Sequence, residues 1–459
     1  MRSELEEAQA SLNDLPKKIV ELGLEAGATD VIGQVMAERT RMVRFSNNSI
    51  TVVKTWDVVS PLVYLGWGNR NISCRLTDTS ISTIEGTIRK MVSAVHALPE
   101  SQVVSHLPRG PFQYKQVPDT YDPQIPELES ELVDSVDKAI NAAQQEGARR
   151  VSGVLSTYDS SKALMTSTGA HATTRQTMIE MSVRSFVEDD ESGQGLSVAT
   201  SLKDFDPVAA GRESGTFARM SQAPKPISEG KYNVVFGPSI FADLLSRVAF
   251  SSSAFAVDAG FSFFADKLGQ QVASEQFTLL DDRLRPGGPG SIPFDDEGYP
   301  AQTSHIIEKG NLKTLVHDSR TAVKHKAALT GNATWIPSIG QIIPIVTSVV
   351  VEAGDRTRDE LLEEAGEGLY LTNNWYTRFQ NYRTGDFSTI PRDAGFMISN
   401  GKIAHPVKGI RISDNMLRLL KGIRALSEDR KWVRWWEVEL PTLVGHCLVD
   451  QVPITKSTA

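Results

Sequence analysis

The chain has 459 residues, 40% hydrophobic and 23% charged, with 34 Gly and 22 Pro. That composition excludes a disordered or fibrous protein and leaves room for about three domains. A net charge of −8 repels phosphate backbones and gives no electrostatic basis for nucleic-acid binding. Cys74 and Cys447 are the whole cysteine complement, too few for a disulfide framework and suited to a reducing compartment. The opening Met1-Arg-Ser-Glu-Leu-Glu-Glu has no apolar stretch that would read as a secretory signal. The longest apolar run, Ile342 to Val351, is broken by Pro344, Thr347 and Ser348 and reaches about half a bilayer span. The expected protein is soluble, cytoplasmic and free of the membrane.

In chain order, Leu15, Ile19, Val20, Leu22 and Leu24 predict a helix stopped at Gly27. Arg41–Ser46, the Asn47-Asn48 turn and Ile50–Lys54 predict a hairpin, and strand-like runs from Leu62 and Ile72 continue the sheet. A helix from about Ser82 to Leu98 follows. Pro99, Pro108, Pro111, Pro118, Pro123 and Pro126 then mark a boundary. A helix from Leu128 to Gly147 leads to Ile179, Met181 and Val183, which alternate with polar residues as in a hairpin with one wet face. That hairpin turns at the acidic Glu188-Asp-Asp-Glu-Ser-Gly.

Pro224-Lys-Pro226 and Gly230 mark the next border. Beyond it, helices near Phe241–Phe250 and Arg356–Gly366 alternate with short strand-like runs from Gln276, Ser304, Thr314, Ile342, Gly368, Gly395 and Ile403. Their Asn-Gly and Lys-Gly turns favour antiparallel pairing. No internal repeat stands out. The expected class is α+β: an N-terminal α/β domain over 1–120, a small middle α+β domain with antiparallel hairpins over 121–226, and a large, mostly antiparallel β-rich C-terminal domain over 227–459.

Common catalytic signatures are missing. There is no phosphate-binding P-loop, and Gly260-Phe-Ser262 lacks the second glycine of a nucleophile elbow, so a buried or loop serine is expected. No two of the eight histidines stand one helical turn apart; His317 and His325 are eight apart, the second between Lys324 and Lys326, and read as surface imidazoles. His446 and Cys447 are strand neighbours that point to opposite faces, which favours a core cysteine over a metal pair. Trp432, Trp435 and Trp436 suit a core or an interface better than a nucleic-acid platform.

The phrases Val234-Val-Phe-Gly-Pro, Leu268-Gly-Gln-Gln-Val-Ala-Ser, Ile292-Pro-Phe-Asp-Asp-Glu-Gly, Ile306-Ile-Glu-Lys-Gly-Asn-Leu-Lys, Thr330-Gly-Asn-Ala, Gly385-Asp-Phe-Ser and Ile398-Ser-Asn-Gly-Lys-Ile-Ala-His-Pro-Val-Lys-Gly together resemble the TldD/PmbA family. The resemblance is loosest in the first segment. It implies a cytoplasmic metallopeptidase system in which a TldD-type subunit carries zinc on a His-Glu-x-x-x-His helix and a TldE (PmbA) type subunit completes a chamber for unfolded or extended peptides. Two imidazoles on adjacent turns would hold the ion while the glutamate takes a proton from its water.

At the matching helix this chain reads Leu244-Leu-Ser246-Arg247-Val-Ala-Phe-Ser251. Ser246 and Ser251 are poor zinc ligands, and Arg247 would repel the ion. The resemblance therefore implies a TldE-like, non-catalytic subunit with no cofactor of its own, zinc belonging to a TldD-like partner. The expected assembly is a heterodimer with that partner, or a homodimer of this chain alone, formed through the C-terminal half. The resemblance also suggests Phe294, Asp295, Asp296, Glu297, Thr330, Gly331, Asn332, Asp386, Phe387 and Ser388 as chamber-lining residues, with tight turns as the competing role. Two other readings compete: a metallopeptidase active alone through His305, His317, His405 or His446, and a non-enzymatic binding or regulatory protein of the gyrase-modulator type.

Overall fold

The computed structural model describes residues 14–188 and 191–457. The charged opening Met1 to Glu7 and the centre of the acidic turn, Asp189-Asp190, lie outside the described residues. Helix α1 (Asp14–Glu25) buries Ile19 and Val20 and ends at Gly27, whose φ of 89° is easy only for glycine. Strands β1 (Asp30–Ser46) and β2 (Ser49–Trp67) form the expected hairpin. Asn47 and Asn48 turn it at φ 51° and 64°, the left-handed pair that suits the twist of the strands. Next come β3 (Arg70–Arg75) and α2 (Ile81–Val95), which starts where the Ser80 side chain accepts from the Thr83 amide.

The following segment repeats this order with α3 (Ser130–Gln145), β4 (Arg150–Thr166), β5 (His171–Phe186), β6 (Ser192–Ala199) and α4 (Pro207–Met220). All six strands share one antiparallel sheet in the order β3-β2-β1-β4-β5-β6. The segments on either side of residue 120 thus share a single sheet, joined by the central β1–β4 pair. The sequence shows no repeat, but the topology does. Gly27 and Gly147 end helices at positive φ, while a Cβ on Gly33 or Gly153 would collide with the Pro16 or Ser182 carbonyl.

In the C-terminal half, strands Gly230–Phe236, Cys447–Lys456, Ile410–Asn415, Asp386–Ser399 and Gly368–Asn381 pair in that order, and the last pairs back with the first. The sheet therefore closes on itself, which removes exposed edges. Only the closing pair is parallel. A second sheet orders Asn311–Leu312, Thr303–Glu308, Leu279–Asp282, Val349–Val351, Val438–Val444 and Lys431–Trp435. Helix α5 (Pro238–Ser251) lies in the main core, where Phe241, Leu244, Leu245 and Val248 cluster with Leu369 of the closed sheet and Val349 and Val444 of the second. Being apolar nearly all round, it is an internal helix.

The protein is thus α+β and β-rich. Three local expectations change. The run Ile342–Val351 divides into strands Gln341–Pro344 and Val349–Val351. Thr314–His317 forms no strand beyond a bridge at Val316, because the chain turns there into the capped helix Ser319–His325. The tryptophan cluster is split: Trp435 is buried, whereas Trp436 is 57% exposed and stacks edge-on against Trp375 and Tyr376. No helix among the described residues is long and apolar enough to cross a membrane.

Candidate functional site

Beside α5 lies a cleft of about 360 Å³ lined by Arg247, Phe250, Ser251, Phe261, Phe379 and Tyr382. Arg247 and Ser251, one turn apart, share the face that borders it. Ser246 is turned away, its hydroxyl donating to the Asp243 carbonyl at 2.7 Å. The Arg247 guanidinium is held loosely: Nη2 reaches Asp243 Oδ1 at 3.5 Å, and the buried Nε has no partner. Phe261 lies edge-on to Tyr382 with ring centroids 5.7 Å apart, and Tyr382 stacks on Phe379 at 5.0 Å. Phe261 and Tyr382 are nearly half exposed, at 48% and 45%.

A backbone irregularity positions this site. In a regular strand Asn374 and Thr377 would face opposite sides. A register shift between Trp375 and Arg378, with Tyr376 at φ 59°, brings both to Asp243: Asn374 Nδ2 donates to its Oδ2 at 2.6 Å, and the Thr377 hydroxyl donates to the same oxygen. Bulges commonly re-aim side chains in this way. The buried Asp243 is thus fixed from the sheet side, and Arg247, one turn along the helix, takes what remains of it.

The ten suggested chamber residues fall into two groups. Phe294, Asp295, Asp296, Glu297, Thr330, Gly331 and Asn332 come together, all buried, where the C-terminal half meets the first sheet. Asp295 Oδ1 accepts from the Glu297 and Tyr299 amides and Oδ2 from the Ala333 amide. Asp296 pairs with Lys162 on β4 and accepts from the Trp335 amide. Glu297 accepts from the Ser319 amide and hydroxyl, and Asn332 donates to the buried Asp281. These carboxylates tie loops together. Asp386, Phe387 and Ser388 lie apart, near the hairpin turn: Asp386 accepts from Thr384 and Asn415, and Phe387 packs under Phe379 of the cleft.

Burial dominates the electrostatics of the network. It pushes Asp295 up to about 6 against the pull of Arg283. It raises Glu297 well above the usual carboxylate range, with Asp318 and Asp295 adding to the rise. Burial also works to raise Asp296, but the Lys162 ammonium and the Trp335 amide outweigh it and hold that group low.

His317 departs from the expected surface imidazole. It is buried, its Nδ1 has no partner, and burial, with His325 5.5 Å away, pushes it down to about 4. His325 meets Asp258 at 3.0 Å. His305 is exposed on its own strand and His405 lies on the strand Lys402–Lys408. His446 sits against Tyr370, lowered to about 3 by burial and by Lys431, while Cys447 belongs to the main core. Ser262 is buried, donating to the Ser251 carbonyl. Among the described residues, no three His, Cys, Asp or Glu side chains are placed to hold a metal ion. Two hydroxyls and a guanidinium at the motif positions of α5 do not fit a zinc ion.

The aromatic wall of the cleft escaped the sequence reading. Nothing along the chain joins Phe261 to Tyr382, 121 positions apart; the strand bulge and the closed sheet do.

Two family models match: the PmbA/TldA metallopeptidase central domain over residues 120–222 and the C-terminal domain over 229–456. A Methanocaldococcus jannaschii protein named a metalloprotease is 32% identical over 210 residues, 45% of each chain. A Haemophilus influenzae metalloprotease PmbA homologue is 29% identical over 206 residues, 45% of this chain and 43% of its own. The match thus spans about half the length of these relatives. Two crystal structures share the whole fold: TldE from Thermococcus kodakarensis, with TM-score 0.86 and 19% identity over 96% of this chain and 100% of that one, and a Thermotoga maritima protein described as a modulator of a DNA gyrase, with TM-score 0.84 and 24% identity over 96% and 99%. With its central and C-terminal domains both matched, the chain belongs to the PmbA/TldD metallopeptidase family.

Proposed function

We propose that this chain is the TldE-like, non-catalytic subunit of a cytoplasmic two-subunit peptidase, with zinc and the bond-breaking step supplied by a TldD-like partner. The observation that carries this reading is the replacement of the metal-motif side chains on α5 by Ser246, Arg247 and Ser251. A fixed cation at the place of the glutamate opposes zinc binding and cannot accept a proton from water. The chain's own contribution is then to hold an extended peptide, by strand addition and by shallow side-chain clefts that tolerate many sequences. The partner is a TldD-like chain, and a self-dimer forms when that chain is absent.

Elemental analysis of the pure chain, followed by peptide hydrolysis with and without a TldD-like subunit, tests this. The expected result is no stoichiometric zinc and hydrolysis only in the mixture. Zinc near one per chain with activity alone would overturn the reading.

A further inference from the structure

We infer that the Arg247 cleft is a carboxylate-binding subsite, which takes the free C-terminal carboxylate of a peptide whose last side chain is aromatic or large and apolar. The inference rests on the peptide-binding role proposed above and names the class of peptide end that this chain holds.

Three observations carry it. First, the cation has unspent capacity: the one contact of its guanidinium, from Nη2 to Asp243, is long at 3.5 Å, which leaves the outer Nη donors for a ligand, while the inner Nε is buried and unpaired. Asn374 and Thr377 both bond Oδ2 of Asp243, so Arg247 shares only its Oδ1, at that long distance. A planar guanidinium with free donors is matched to a carboxylate, which it binds through two parallel hydrogen bonds. Second, the side chain is one-third exposed at the edge of the cleft, so a ligand reaches it. Third, the other walls are Phe250, Phe261, Phe379 and Tyr382, with Ser251 beside the arginine, a largely aromatic surface beside one positive charge. That pairing complements a terminal residue, which carries an anion and a side chain on the same carbon. The cleft volume, about 360 Å³, is at the small end for ligand sites and suits a residue or two rather than a folded partner.

The test is isothermal titration calorimetry of the full chain with acetyl-Ala-Ala-Phe and with its C-terminal amide. The acid is expected to bind about tenfold or more tighter, the value of a charge-assisted hydrogen bond. Arg247→Gln is expected to erase that preference and Arg247→Lys to keep part of it. Phe261→Ala and Tyr382→Ala should weaken acid and amide alike, by about threefold or more, through lost apolar contact. Equal binding of acid and amide, or a preference that survives Arg247→Gln, would overturn the proposal, as would the absence of any binding. If Arg247→Gln fails to fold, the acid–amide comparison on the unaltered chain decides alone. No zinc and no hydrolysis enter this measurement. A chain that proved active by itself would overturn the subunit reading and leave the subsite standing, whereas a chain that activates its partner yet ignores the carboxylate would overturn only the subsite.

Discussion

Asp295, Asp296 and Glu297 sit among amides, a hydroxyl and an ammonium that occupy both oxygens of every carboxylate. Arg247, elsewhere in the same half of the molecule, sits among aromatic rings, one-third exposed, with a single long contact from its outer nitrogens. Both regions are charged, but the first is sealed and its charge is consumed in holding loops together, whereas the second is open. Arg283 sharpens the contrast. It too has unpaired donors at Nε and Nη1, but it is buried within the carboxylate region, where its field only partly offsets the burial that raises Asp281 and Asp295 and no ligand reaches it. Density of charged residues therefore does not mark a binding site; reachable, unsatisfied bonding capacity does.

The largest effect should come from breaking the sealed region. Lys162→Met strands Asp296 without its cation and should cost about 3 kcal/mol or more, read from denaturant unfolding. The double variant Lys162→Met/Asp296→Asn should recover most of the loss, and a Lys162→Met chain of unchanged stability would show that the pair does not join the two halves. Next, Gly331→Ala places a side chain at φ 71°, with its Cβ 2.5 Å from the Pro300 carbonyl, and should cost about 2 kcal/mol in the same assay.

Glu297 gives a pH-dependent test. Its folded-state pKa lies above the unfolded value, so the native state holds the proton more tightly. Stability contributed by the neutral form is complete below the ordinary glutamate range and is lost as pH rises from there toward the raised value. Glu297→Gln should therefore gain stability relative to the unaltered protein across that rise, measured as the pH dependence of unfolding free energy; parallel curves would show that the group is not titrating. The smallest effect belongs to the open region: Phe261→Ala, at an exposed ring, should change stability by less than about 0.5 kcal/mol, so any loss of peptide binding reports on the cleft itself.

Legibility differed between the same two regions. The phrase Phe294-Asp-Asp-Glu-Gly stood out in the sequence, and the structure brings it together with Thr330-Gly-Asn, because Asp295 closes its own turn and then bonds the Ala333 amide. Side chains that organise nearby backbone leave a local trace. Arg247 and Ser251 were readable as departures from a motif, but their neighbours Phe261, Phe379 and Tyr382 were not, since a strand bulge has no pattern of its own and aromatic residues read as core. His317 departs from the surface reading for a related reason: the lysines flank its partner His325 and not itself, and its place between the Val316 bridge and the cap of the next helix encloses it.

By itself the sequence determined most of the element types, the hairpin at Asn47-Asn48, the α+β class and the absence of a His-Glu pair on α5, because these depend on periodicity, turn chemistry and residue identity over a few positions. Tertiary structure alone decided that two αβββα segments share one sheet, that the C-terminal sheet closes on itself, and that an arginine and four aromatic rings meet in one cleft. Those outcomes depend on pairings between distant strands. Such pairings are fixed by the burial of whole faces, a quantity that no local stretch of sequence contains.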